Sequence, residues 1–193
     1  MNEESLINNY LKKLSKNNPS SLNLNDDVFF DKNKKLVISV DTYNEGIHFL
    51  NFNKPDLVIR KIIRSSISDI YAKGVKPNYF FLAGSGNKKH FTKKKMSLIN
   101  KSLTNEQNKF NIKLSGGDTT SSKNLSFTVM SLGYSDKIVY RNKAKNGDDI
   151  YITGNIGDSY IGLKALKKKI NLNTKEKKYF TDKYYSPNLP INF

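Results

Sequence analysis

The sequence predicts an α/β fold, on three observations. Apolar residues come in short blocks whose spacing alternates between that of strands and that of helices. Gly, Pro and Asn/Ser clusters punctuate those blocks at turn-like intervals. The chain has no cysteine, so no disulfide or thiolate metal site can substitute for a packed core. At 193 residues it is long enough for one sizeable domain plus part of another.

In chain order, Leu6, Ile7, Tyr10, Leu11 and Leu14 form a helical stripe over residues 3–16. After a polar stretch at 17–25, Val28–Phe30 and Leu36–Val40 predict two strands joined by the turn Asp31–Lys35. Residues 55–73 predict the clearest helix: Pro55 near its start, Val58, Ile62, Ile63, Ile67 and Ile70 on one side, and Gly74 as a stop. A strand at Tyr79–Ala83 precedes a second long helix at 91–109, with Met96, Ile99 and Leu103 inward. Strands at Ile112–Leu114 and Leu125–Tyr134 flank the Gly116-Gly117 turn. A basic loop at 135–147 leads to a strand at Asp149–Thr153 and a helix at 158–169, and a polar segment ends at Pro187 and Pro190. Lys145-Asn146-Gly147-Asp148 marks a boundary, dividing the chain into residues 1–145 and the incomplete start of a second α/β domain at 146–193.

Composition narrows the function. The 33 Lys+Arg against 17 Asp+Glu give a net charge of +16. Arginine occurs only at Arg60, Arg64 and Arg141, and the lysines are dispersed, which argues for solvated faces and against a nucleic-acid groove reader. A positive surface still gathers anionic substrates. No apolar run approaches the ~20 residues of a membrane helix, and the acidic start Met1-Asn2-Glu3-Glu4 lacks a signal-peptide layout, so the expected location is the cytoplasm.

In so basic a chain the acidic motifs stand out: Asn25-Asp26-Asp27, Val40-Asp41-Thr42, Ser68-Asp69-Ile70 and Gly116-Gly117-Asp118-Thr119-Thr120. Converging carboxylates repel unless hard cations hold them, and Mg²⁺ with phosphate is the usual reason to assemble them. Each motif has a plainer reading beside it. Taken alone, Asp26-Asp27 reads more readily as a turn or cap pair and Asp41 as an Asx-turn. Asp69 borders the buried side of its helix, where an unpaired carboxylate is costly. Gly116-Gly117 admits close approach to an anion, or a plain hairpin turn. Gly154-x-x-Gly157 at a helix start binds phosphate or forms a tight strand-to-helix turn.

Taken in order, the motifs resemble thiamine-monophosphate kinase. They run Asp26-Asp27; Ser39-Val40-Asp41-Thr42-x-x-x-Gly46-x-His48-Phe49; Ser68-Asp69-Ile70-x-Ala72-x-Gly74-x-x-Pro77; Gly116-Gly117-Asp118-Thr119-Thr120; Arg141-x-x-Ala144-x-x-Gly147-Asp148; and Tyr151-x-Thr153-Gly154-x-x-Gly157-Asp158. The resemblance covers nearly the whole chain but only the first part of the family's length. It implies a mixed sheet packed with helices, as in the N-terminal domain of aminoimidazole ribonucleotide synthetase-like proteins, forming a homodimer. It also implies Mg²⁺-assisted transfer of the ATP γ-phosphoryl to thiamine monophosphate, with an acceptor phosphate that needs no general base. By the same resemblance Asp27, Ser39, the backbone at Val40, Asp41, Asp69 and Asp118 hold several Mg²⁺ ions. Gly117, Asp118 and Arg141 contact ATP, and His48, otherwise readable as a turn cap, faces thiamine monophosphate.

The chain departs from the family pattern in three ways. Asn25 replaces the Gly that usually precedes the Asp-Asp pair, a substitution that asks for a special backbone angle. The run Ala83-Gly84-Ser85-Gly86 is unusually polar. The family's second half, with its further Asp motif, is missing, so the chain is expected to stop partway into a second domain. Two other readings stand beside the kinase: a sister ATP-using enzyme with another substrate, and a non-catalytic, dimer-forming or polyanion-binding fragment.

Overall fold

The fold is described from a computed structural model, in which residues 1–189 and 191 are placed; Pro190 lies outside the described residues. Six strands form one mixed sheet: β1 (Phe29–Asp31), β2 (Leu36–Asn44), β3 (Pro77–Gly86), β4 (Lys113–Gly116), β5 (Thr119–Ser121) and β6 (Ser126–Tyr134). The order across the sheet is β1-β2-β6-β3-β4, with β5 also on β3. Antiparallel ladders join β1 to β2, β2 to β6 and β6 to β3, while β4 and β5 run parallel to β3.

Helices α2 (Pro55–Ala72) and α3 (Lys93–Phe110) cover one face of the sheet. Pro55 opens α2, and its apolar stripe Val58, Ile59, Ile62, Ile63, Ile67 and Ile70 is wholly buried. Gly74, at φ +69, ends it, the position where a residue without Cβ costs least. Thr92 caps α3, its hydroxyl accepting from Lys95 N, and Asn111 closes it in the left-handed conformation. The core is built from these stripes and the alternate residues Phe80, Phe127 and Val129 of the sheet.

Inside this core Arg64 donates to Glu106 at 2.7 and 3.1 Å, tying α2 to α3. Ser66 and Ser131 share a hydrogen bond of 2.8 Å between α2 and β6. The opposite face of the sheet carries no helix among the described residues. There the registers Ile38↔Leu132, Val40↔Met130 and Phe81↔Met130 set apolar side chains edge to edge, with Val40 59% exposed.

Several expectations are corrected. The N-terminal helix is α1 (Glu3–Leu6), which widens into a π-helical turn at Ile7–Leu11 and stops short of residue 16; its apolar stripe faces solvent because no element packs on it. Gly116-Gly117 is not a hairpin turn. β4 and β5 follow one another along the same edge of β3, and the two glycines are the extended link between them. Asn25 has φ −104; the left-handed residues lie just upstream, at Leu22, Asn23 and Leu24. Residues 149–153 form no strand, and Ile150 and Tyr151 are 93% and 87% exposed, because no described strand lies beside them to complete a ladder. Helix α4 (Asp158–Leu166) is shorter than expected, and a further helix, α5 (Thr174–Tyr185), occupies the polar segment. Tyr184 and Tyr185 of α5 pack into the main core against α2. No described helix is long and apolar enough to cross a membrane.

Candidate metal and nucleotide site

Strand β2 places Val37, Ser39, Asp41 and Tyr43 on the face toward α2, while Asp69 lies on the last full turn of α2, opposite Ser39. The buried Ser39 hydroxyl donates to Asp69 Oδ2 at 3.0 Å, and Tyr43 OH donates to Asp41 Oδ2 at 3.0 Å. Asp26 and Asp27 precede β1 and reach the same place from the side. A cavity of about 630 Å³ results, lined by Asp26, Asp27, Val40, Asp41, Asp69 and Arg141, with Glu3 and Glu4 of α1 at its rim.

Electrostatics marks this cavity as short of positive charge. Burial, then the neighbouring Asp41 charge, pushes the Asp69 carboxyl up to about 6, although the Ser39 hydroxyl pulls the other way. Burial also raises Asp41, opposed by the Tyr43 hydrogen bond. The Tyr43 hydroxyl is raised in turn, by burial first and then by Asp41. Two neighbouring carboxyls raised in this way favour either a shared proton or a cation between them.

Among the described residues no three His, Asp or Glu side chains already converge at metal-holding distance. Asp27 instead reaches Arg141, whose Nη1 donates to Asp27 Oδ1 at 3.3 Å. The donor set nevertheless suits a hard dication: three carboxylates, one hydroxyl and a strand carbonyl, all oxygen.

Asp118 is elsewhere. Asp41, Val129 and Leu82 stand at one level across β2, β6 and β3, and the Gly117 backbone abuts Leu82 beyond them. Three strand spacings therefore separate Asp41 from the Gly117-Asp118 link, roughly 14 Å. Asp118 and Gly117 line a second cavity of about 700 Å³, with Leu82, Phe91, Met96, Ile99, Leu103 and Phe127 as its apolar wall. A Cβ on Gly117 would stand 1.9 Å from the Leu82 carbonyl oxygen, so only glycine lets the backbone pass here. The Asp118 carbonyl accepts from Gly84 N at 2.8 Å, and its carboxylate stays exposed.

His48 is exposed on the turn after β2, with Nδ1 accepting from Asn44 N at 2.9 Å. That bond makes it a turn cap and leaves Nε2 as the free, proton-bearing nitrogen. It stands edge-on to Tyr43, 5.8 Å between ring centres.

A family model described as AIR synthase related protein, N-terminal domain, matches residues 25–135. The chain belongs to the AIR synthase related family. It is similar to the thiamine-monophosphate kinase of Buchnera aphidicola subsp. Schizaphis graminum, 34% identical over 192 residues, covering 96% of this chain and 59% of the relative. The Haemophilus influenzae thiamine-monophosphate kinase is 32% identical over 169 residues, covering 84% of this chain and 51% of its own length. In fold, the chain superposes on the Aquifex aeolicus thiamine monophosphate kinase structure with a TM-score of 0.80 at 22% identity, covering 99% of this chain and 63% of that one. A structure of AaThiL complexed with AMPPCP and TMP gives 0.84 at 23% identity, covering 99% and 62%. The chain thus spans between about half and about three-fifths of the length of these relatives.

Within this AIR synthase related domain the sequence reading missed one charged residue that matters to the site. Lys73 is 5% exposed and pairs with Asp26. Its place one helical turn after Asp69 was the available signal.

Proposed function

We propose that this chain is the metal- and nucleotide-binding portion of an ATP-dependent thiamine-monophosphate kinase that makes thiamine diphosphate. The observation that supports the reading most is the half-buried Asp41/Asp69 pair facing Asp27 in one cavity, in a chain 34% identical to a thiamine-monophosphate kinase. Asp27, Asp41 and Asp69 would hold Mg²⁺, with Ser39 orienting Asp69 and the Val40 carbonyl at hand. Bound Mg²⁺ supplies charge neutralisation for phosphoryl transfer.

Gly117 and Asp118 form the nucleotide end, their exposed backbone next to an apolar wall suited to a flat base. Arg141 carries the one guanidinium at the carboxylate cavity and serves the ATP phosphates. His48 offers its free Nε2–H to thiamine monophosphate, and no general base is assigned.

The uncovered apolar sheet face supports a homodimer through this domain. Within one chain no single ion reaches both Asp41 and Asp118, so a shared ion requires the Asp118 of a second chain. We place the domain boundary near residue 145 and the activity in the cytoplasm, where ATP and the acceptor are found together.

The test is a thiochrome assay for thiamine diphosphate with ATP, Mg²⁺ and thiamine monophosphate, beside a panel of other phosphoryl acceptors. Thiamine diphosphate formation that is lost in Asp69→Ala and Asp118→Ala supports the assignment. Preference for another acceptor would move the chain to a sister enzyme. Activity surviving both substitutions would falsify the site.

A further inference from the structure

The two neighbours in the Asp26-Asp27 pair are not equivalent. The Asp27 side chain is half exposed, at 51%, and faces the cavity. That of Asp26 is 5% exposed and ion-paired with the Lys73 ammonium, itself 5% exposed. Both Asp26 oxygens are engaged elsewhere too: Oδ1 accepts from Asp27 N at 2.8 Å and Oδ2 from Arg141 N at 3.4 Å. The main chain of Lys73 closes the same knot, its carbonyl accepting from Val139 N at 3.0 Å.

We propose that the buried Asp26–Lys73 pair is a positioning device for the cation site, locking the three segments that carry Asp27, Asp69 and Arg141. The proposal rests on the reading of Asp27, Asp41 and Asp69 as Mg²⁺ ligands. Lys73 follows Asp69 by one helical turn, Asp26 is joined to Asp27, and the Arg141 amide hangs on Asp26. One pair therefore sets the distance between the Asp-Asp loop, the end of α2 and the basic loop. Asp26 is not itself a ligand, because a dication there would have to displace an ammonium already in contact.

Stability alone does not account for the pair, since a buried ion pair adds little over an apolar pair of similar volume. Partners that orient metal ligands, by contrast, typically govern metal affinity by ten- to a hundredfold.

The experiment titrates the full chain with Mg²⁺ alone by calorimetry and follows amide exchange at Arg141. The variant is Asp26→Asn/Lys73→Met, which removes both charges and strands neither. Expected are a melting temperature near that of the unaltered chain, Mg²⁺ affinity down about tenfold, and faster exchange of the Arg141 amide. If that variant does not fold, Asp26→Asn/Lys73→Gln, which keeps a hydrogen bond, answers by the same titration. Ile112→Ala, a core truncation lining neither cavity, is expected to lower the melting temperature and leave Mg²⁺ affinity alone.

Wild-type affinity in the double variant, or an equal loss in Ile112→Ala, overturns the positioning role. Failure of the underlying reading looks different. The unaltered chain then binds no Mg²⁺, or Asp41→Asn/Asp69→Asn binds it undiminished, and both readings fall together.

Discussion

Burial and the Asp41 charge hold the Asp69 carboxyl up at about 6, against 3.8 for a free side chain. Because its folded value is raised, the metal-free fold binds more protons than the unfolded chain between these values. Asp69 therefore contributes stability that is complete below about pH 4 and is lost as pH rises through about 6. A metal-free melting curve should fall across that window, and saturating Mg²⁺ should flatten the fall. Asp69→Asn should raise the metal-free melting temperature at pH 7.5 by about 2–4 °C, about 1 kcal/mol after allowance for solvent screening, while abolishing Mg²⁺ binding. A variant that gains stability and keeps Mg²⁺ would contradict this role. At this scale the sequence led to Asp27, Asp41 and Asp69 because strand ends and a helix border are visible as local patterns. Only the family resemblance separated Asp27 from Asp26, because the burial that distinguishes them is decided by a lysine 47 positions away (73 − 26).

The edge made by β3, β4 and β5 depends on one backbone contact, the passage of Gly117 past the Leu82 carbonyl. Gly117→Ala should cost more than about 3 kcal/mol by pushing β5 off β3, and should remove the nucleotide-induced rise in melting temperature. Gly147→Ala is the comparison: a left-handed glycine at φ +94 with nothing within 4 Å of a built Cβ, where about 1 kcal/mol of strain is expected. Equal effects at both positions would deny the close approach any special weight. Between α2 and α3, Glu106→Gln leaves the buried Arg64 guanidinium without its counter-charge and should destabilise by about 3–5 kcal/mol. The long helices and central strands were legible because their apolar periodicity runs for many residues. Helix α5 was not, for little of it beyond Tyr184 and Tyr185 is buried and its apolar stripe is short, although the Asn173–Glu176 capping box at its start is a local signal. The expected strand at 149–153 has strand-like residues, but ladder partners are not encoded locally.

At the scale of the molecule, one sheet face packs the core and no described helix covers the other, where Ile38, Val40, Met130, Leu132 and Phe81 form an apolar patch. Met130→Lys should convert a dimer to monomer in sedimentation experiments with little loss of melting temperature, because Met130 contributes nothing to the buried core. An unaltered sedimentation profile would remove this face from the interface. Burial alternates along β6 but the residue types do not, since Val129 and Met130 are adjacent apolar residues on opposite faces, so the local pattern does not say whether the second face meets solvent or another chain. The +16 charge predicts salt-sensitive adsorption to heparin. If that binding protects the chain against heat while Mg²⁺ with ATP does not, the polyanion reading replaces the kinase.

Helix α2 has a further consequence as a mechanical part. Its middle grips α5 and the residues just after it: Lys61 Nζ sits 3.6 Å over the Tyr184 ring, Arg60 donates to Ser186 Oγ and Arg64 to the Pro187 carbonyl. Its far end carries Asp69, roughly 12 Å away along the axis at the helical rise. If this helix of 18 residues moves as a stiff rod, a pull on the chain beyond Tyr185 is expected to reach the carboxylate cavity as a displacement of Asp69. The segment that follows α5 would then hold one handle of the carboxylate cavity.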